Sequence, residues 1–167
     1  LPVMVLAFPP KLAIAILLPL YLITDIFVAY TWRKFPVLKI LKLMVLGGLL
    51  GQVLGWICFE YLEDKYILIL IGILALITSI RYFKGIFFQN NKITKIKKIK
   101  SSLSRAIGWC GFSGFSSFVA LTGGIPAQIF LLPIGLERQL FVGTMSFYFL
   151  IINLAKLPFF FDLQLFT

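Results

Sequence analysis

The stretch Val119–Pro133, VALTGGIPAQIFLLP, sets two glycines and a proline inside an apolar run. Gly123-Gly124-Ile125-Pro126 removes one backbone donor and loosens its neighbours. In a bilayer every backbone N–H and C=O must be paired within the protein, so a break there survives only packed in protein or lining a wet cavity. What this stretch means therefore depends on the solvent around it.

Composition decides the solvent. The 167 residues are 60% hydrophobic and 13% charged. Soluble domains run about half apolar and about a quarter charged. A soluble domain of this size could not hide so much apolar surface. The chain reads as an all-α, polytopic membrane protein.

A spanning helix takes about 20 apolar residues. Working outward from the opening stretch, Ala106–Leu136 is about 31 residues long, too long for one straight crossing. It is expected to be a spanning helix broken at Gly123–Pro126. Leu12–Thr31, Leu38–Phe59, Tyr66–Phe83 and Gln139–Phe161 supply four more spans. The chain opens on LPVMVLAFPPK, without the basic start and small-residue cleavage site of a signal peptide. It ends on FFFDLQLFT, just after an apolar run, and a piece of a longer protein is expected.

The links carry the orientation. Arg33, Lys34, Lys39 and Lys42 lie around the first link; Arg81, Lys84, Lys92, Lys95, Lys97, Lys98, Lys100 and Arg105 lie around the third. These are twelve of the sixteen Lys and Arg, which makes residues 32–42 and 84–105 cytoplasmic by the positive-inside rule. The second link is acidic at Glu60, Glu63 and Asp64, and Glu137 and Arg138 are expected outside with it. A net charge of +10 would suggest nucleic acid in a soluble protein. Here it reads as an orientation signal and a contact with anionic headgroups over 84–105, with no nucleic acid partner. The link divides the chain into 1–83, the end of one transmembrane half, and 106–167, the start of another. A shift of 128 residues lays Lys11–Asp25 over Gln139–Asn153, with Asp25 on Asn153 and Ala15 on Gly143. The charges run both helices outside to inside, so a parallel repeat is expected.

Chemistry-bearing residues are few. Pro126 suits the first turn of a half-helix, whose N–H groups at Ala127, Gln128 and Ile129 would face an anion at Gly124. A plain kink with glycines for close packing fits the same letters. Asp25 and Lys156 are ionisable groups within spans, where such groups are costly and functional. Asp25 reads either as a pathway residue or as one near the cytoplasmic interface. Lys156 reads either as a site cation or as a snorkelling side chain. Gln52 and Asn153 are polar at depth, and Gly47, Gly51 and Gly55 make a stripe for helix contact. Gly111-Phe112-Ser113-Gly114 matches a serine-nucleophile motif, but the chain has no histidine to act as base. Cys58 and Cys110 form no pair motif. No metal, cofactor or enzyme chemistry is expected.

The ordered set Gly114-Phe115-Ser116-Ser117, Gly123-Gly124-Ile125-Pro126, Gly143-Thr144 and Asn153-Leu154-Ala155-Lys156-Leu157-Pro158 resembles the second half of the TauE/SafE family of sulfite and organosulfur anion exporters. LPVMVLAFPPKLAIAILLPLYLITDIFVAYTWRKF and LGGLLGQVLGWICFEYLEDKYILILIGILALI resemble its second to fourth helices. Many members carry a histidine where this chain has Leu121. The resemblance implies about eight helices, one before Leu1 and two after Thr167. It implies a plasma-membrane permease for a small anion such as sulfite, a sulfonate or a carboxylate. The broken helix, rather than the resemblance, supplies the expected site: backbone groups at Gly123, Gly124, Pro126, Ala127 and Gln128, hydroxyls of Thr122 and Thr144, and Asn153 or Lys156 from the next helix, with Asp25 as a proton-coupling candidate. Assembly into a homo-oligomer is compatible with it. The rival classes are a non-transporting subunit of a membrane complex, which would need no break at Gly123, and an intramembrane enzyme.

Overall fold

A computed structural model describes residues 3–59, 61–87 and 103–163. Residues 88–102 of the basic link and Glu60 fall outside that range, and with them most of the expected headgroup contact. The described residues form helices and no strand. They are α1 (Pro10–Thr31), α2 (Leu38–Phe59), α3 (Asp64–Phe87), α4 (Leu103–Ala120), α5 (Gly124–Leu131) and α6 (Arg138–Asp162), with short 3₁₀ turns at Met4–Leu6 and Leu132–Ile134. α1, α2 and α6 are each long and apolar enough to cross a bilayer.

The glycine stripe of α2 lies on α4. A Cβ on Gly47 would stand 2.5 Å from the Ala106 carbonyl oxygen, and one on Gly55 2.9 Å from Phe118 Cβ. A Cβ on Gly51 would land on the Gly111 carbonyl, and one on Gly114 on the Gly48 carbonyl. Partners advance together along both helices, so α2 and α4 run parallel at near backbone contact. α6 also runs parallel to α2. Val37 N donates to Thr144 Oγ1 (3.0 Å), Gln52 Nε2 to the Ile152 carbonyl (2.7 Å) and Trp56 Nε1 to Asp162 Oδ2 (3.2 Å).

α5 does not continue α4. Leu121 adopts a left-handed backbone, φ 49°, and its N–H closes on the Ser117 carbonyl at 3.1 Å. The chain then turns back. Arg105, in the first turn of α4, stacks 5.8 Å from the ring centre of Phe130, in the last turn of α5. Ala127, Phe130 and Leu131 share a core with Ala106 and Cys110. Residues 103–137 are therefore a helical hairpin that enters and leaves at one end of the bundle. This corrects the expected broken crossing. The break sits at Leu121–Gly123, and Pro126 falls in the first turn of α5. It also moves Glu137 and Arg138 to the end that holds Arg33 and Lys34.

α1 is antiparallel to α6. Phe35 packs on Gly143, Asp25 meets Asn153, and Leu18 shares a core with Phe160. Phe35 lies ten residues after Asp25, and Gly143 ten before Asn153. The helices begin at Pro10 and Arg138, 128 residues apart, and run in opposite directions, which the expected parallel repeat does not allow. Residues that the repeat makes equivalent, Asp25 and Asn153, touch each other. That is what a two-fold axis between antiparallel copies requires; the expected parallel repeat is replaced by an inverted one.

Candidate functional site

The hairpin tip is held by its own hydroxyls. Ser113 Oγ donates to the Gly123 carbonyl at 2.6 Å, and Tyr148 OH of α6 donates to Ser113 Oγ at 3.0 Å. Ala127 N reaches the same carbonyl at 3.3 Å. Thr122 closes the end of α4, its N–H and its hydroxyl each 3.3 Å from the Ser116 carbonyl. Only glycine fits at position 123, where a Cβ would stand 2.6 Å from both the Ser113 carbonyl oxygen and Ser117 Cβ. Gly124 faces open space.

That space is a cavity of about 280 Å³ between the hairpin tip, α1 and α6. Tyr21, Thr24 and Asp25 line it from α1, and Phe149 and Asn153 from α6. Ser117, Leu121, Gly123 and Gly124 close it from the hairpin. The N–H groups of Gly124 and Ile125 open α5 and take no backbone acceptor among the described residues. With Ala127 N already on Gly123, the helix-end donors sit earlier than the expected Ala127–Ile129.

Behind the wall lies Lys156, fully buried. Its Nζ donates to Ser117 Oγ at 2.8 Å and to Asn153 Oδ1 at 2.7 Å. Asn153 Nδ2 in turn donates to Asp25 Oδ2 at 2.5 Å. The amide thus joins the cation to the carboxylate, and both ends of it are fixed. Lys156 does not snorkel, because its neighbours on α4 and α6 satisfy it in place.

Of the residues singled out in the sequence, Asp25, Gly123, Gly124 and Asn153 line the cavity and Lys156 backs it. Pro126 and Ala127 are buried in α5 beside it. Gln128 is exposed. Thr122 is bonded within the turn, and Thr144 ties α6 to the α1–α2 link, its hydroxyl donating to the Leu140 carbonyl at 2.7 Å. Neither threonine reaches the cavity. Tyr21, Thr24 and Phe149 are lining residues the sequence did not mark; Ser117 and Leu121 stood in the family resemblance but without a site role. Spacing could have marked some of them: Tyr21 precedes Asp25, Ser113 precedes Ser117 and Phe149 precedes Asn153 by one helical turn each.

The arrangement sets hydroxyls of Tyr21, Thr24 and Ser117 and the N–H of Gly124 around a small cavity, with a buried ammonium one layer behind them. Such a set suits an oxyanion. The family model described as sulfite exporter TauE/SafE matches residues 1–167. No curated protein and no solved structure shows significant similarity to the chain.

Proposed function

The chain belongs to the sulfite exporter TauE/SafE family, a family of membrane transporters, and from that premise we propose that it moves sulfite or small organic sulfonates across the plasma membrane through the cavity at the α4–α5 tip. The observation that carries the reading is Lys156. A buried charge is retained in a bilayer where it serves a pathway, and this one stands one side-chain layer behind a cavity lined by N–H and hydroxyl donors. The cavity is at the small end of ligand sites, which run upward from about 300 Å³, in keeping with a guest of a few heavy atoms. Residues 32–42 and 84–105 lie on the cytoplasmic side in this reading, and the hairpin enters from there.

Reconstitution into liposomes tests it. Wild-type protein is expected to carry sulfite and a labelled sulfonate. Lys156→Ala removes the cation behind the cavity and its charge-assisted hydrogen bonds to Ser117 and Asn153, so anion affinity is expected to fall roughly tenfold or more. Gly124→Leu starts from a Cβ with nothing within 4 Å and adds bulk at the cavity wall, and flux is expected to stop while the protein stays folded. Wild-type protein inert to both anions, or normal flux in both variants, defeats the reading.

A further inference from the structure

The charges around the cavity can be counted. Lys156 and Asp25 are joined through the Asn153 amide, and no other Lys, Arg, Asp or Glu lines the cavity among the described residues. Tyr21 stands beside Asp25 on its own helix. α6 contributes Phe149 and Asn153 to the lining and Lys156 behind it, and the hairpin contributes Ser117, Leu121, Gly123 and Gly124, which carry no titratable side chain. α5 contains no titratable residue, and Arg105 of α4 lies at the opposite end of that helix, over Phe130. α3 shares a core with α1 through Ile67 and Ile71, both apolar, and the 3₁₀ turn at Met4–Leu6 carries no ionisable group.

With Asp25 ionised, the site is already neutral. An anion entering it would leave an uncompensated negative charge away from water, which is strongly unfavourable. With Asp25 protonated, Lys156 is the unbalanced charge and a single negative charge restores neutrality. We propose that the site carries one monoanion together with one proton, the proton resting on Asp25, and that the Asn153 amide is the link through which anion and carboxylate compete for Lys156. This rests on the reading of the cavity as the anion site. The proton joins Asp25 Oδ from water as the anion enters and returns to water as it leaves, so no net charge crosses. A dianion is excluded by the same count.

A permanent monoanion isolates the protein's own proton. An alkyl sulfonate such as isethionate keeps its charge across neutral pH, so any proton moving with it rides on the protein. Liposomes containing the full chain, a trapped pH dye and labelled isethionate are expected to show about one proton per anion and a flux indifferent to an imposed membrane potential. Asp25→Asn mimics the protonated carboxyl. It is expected to carry isethionate with no accompanying proton, to respond to the potential, and to bind isethionate with the same affinity from acidic to alkaline pH. Asp25→Glu is expected to retain coupling. Isethionate flux in wild type without protons, or undiminished coupling in Asp25→Asn, overturns the coupling while leaving the anion site standing. Absence of isethionate and sulfite flux in wild type overturns both. Should Asp25→Asn be unstable, a wild-type flux that follows the potential still overturns the proposal.

Discussion

Leu121 sits where the hairpin turns, with φ 49°. A non-glycine residue in this region is uncommon, and a β-branched one is a true outlier. Strain of this kind costs on the order of 1–3 kcal/mol and persists only where surrounding structure imposes it. Here the imposing contacts are the Leu121 N–H on Ser117, the Thr122 N–H on Ser116, and Gly123 wedged against Ser113 and Ser117. Leu121→Ile keeps volume and apolarity and changes only branching next to the backbone. It is expected to lower the thermal midpoint by a few degrees, at a cost of about 1 kcal/mol or more. Leu121→Gly accepts the conformation and is expected to keep the hairpin. Equal melting of the isoleucine variant and wild type would show that the turn is not held left-handed.

At the scale of elements, the α2–α4 contact sets how close two helices can come. Gly51 and Gly114 each face a backbone carbonyl where a methyl group would have to sit, whereas Gly72 and Gly108 face open space. Alanine raises helix propensity over glycine by up to about 1 kcal/mol. Gly108→Ala is therefore expected to be neutral or stabilising. Gly114→Ala must push two backbones apart and is expected to lose roughly 1–3 kcal/mol despite its better propensity. Melting of the two purified variants side by side checks the difference in sign. The helices themselves were legible: α2 spans the expected residues, and α1 and α6 begin within two residues of expectation, because the length of an apolar run sets the length of a span. The hairpin was not. A 31-residue apolar segment with a break reads alike as a kinked crossing and as a return, and contacts such as Phe130 with Arg105 and Thr144 with Val37 separate them. The cavity residues divide in the same way. Asp25, Asn153, Gly123 and Gly124 stand out as polar groups or breakers in an apolar run. Ser117 and Tyr21 look like ordinary packing and interfacial residues until a fold brings them together.

For the whole molecule, the reversal at Leu121 fixes the sense of the repeat. A hairpin that returns to its own side starts α6 beside the α1–α2 link, and α6 then climbs against α1. Asp25 and Asn153 become partners across the axis, each about one turn past the midpoint of its helix. In transporters of inverted topology, sites lie at the interface between repeats near mid-membrane, where short half-helices end. The cavity lies between the antiparallel α1 and α6 and the tip of α4–α5. Among the described residues, Arg138 joins Arg33 and Lys34 at one end of the bundle, through the Phe35–Gly143 and Val37–Thr144 contacts. Arg33, Glu63 and Glu137 are all exposed and report the arrangement directly. In a Cys58→Ser background, Arg33→Cys and Glu137→Cys are expected to react with a membrane-impermeant maleimide from the same face of the membrane, and Glu63→Cys from the other. A kinked crossing predicts Glu137→Cys labelling together with Glu63→Cys. That result would restore the parallel repeat, separate Asp25 from Asn153 and remove the cavity between them.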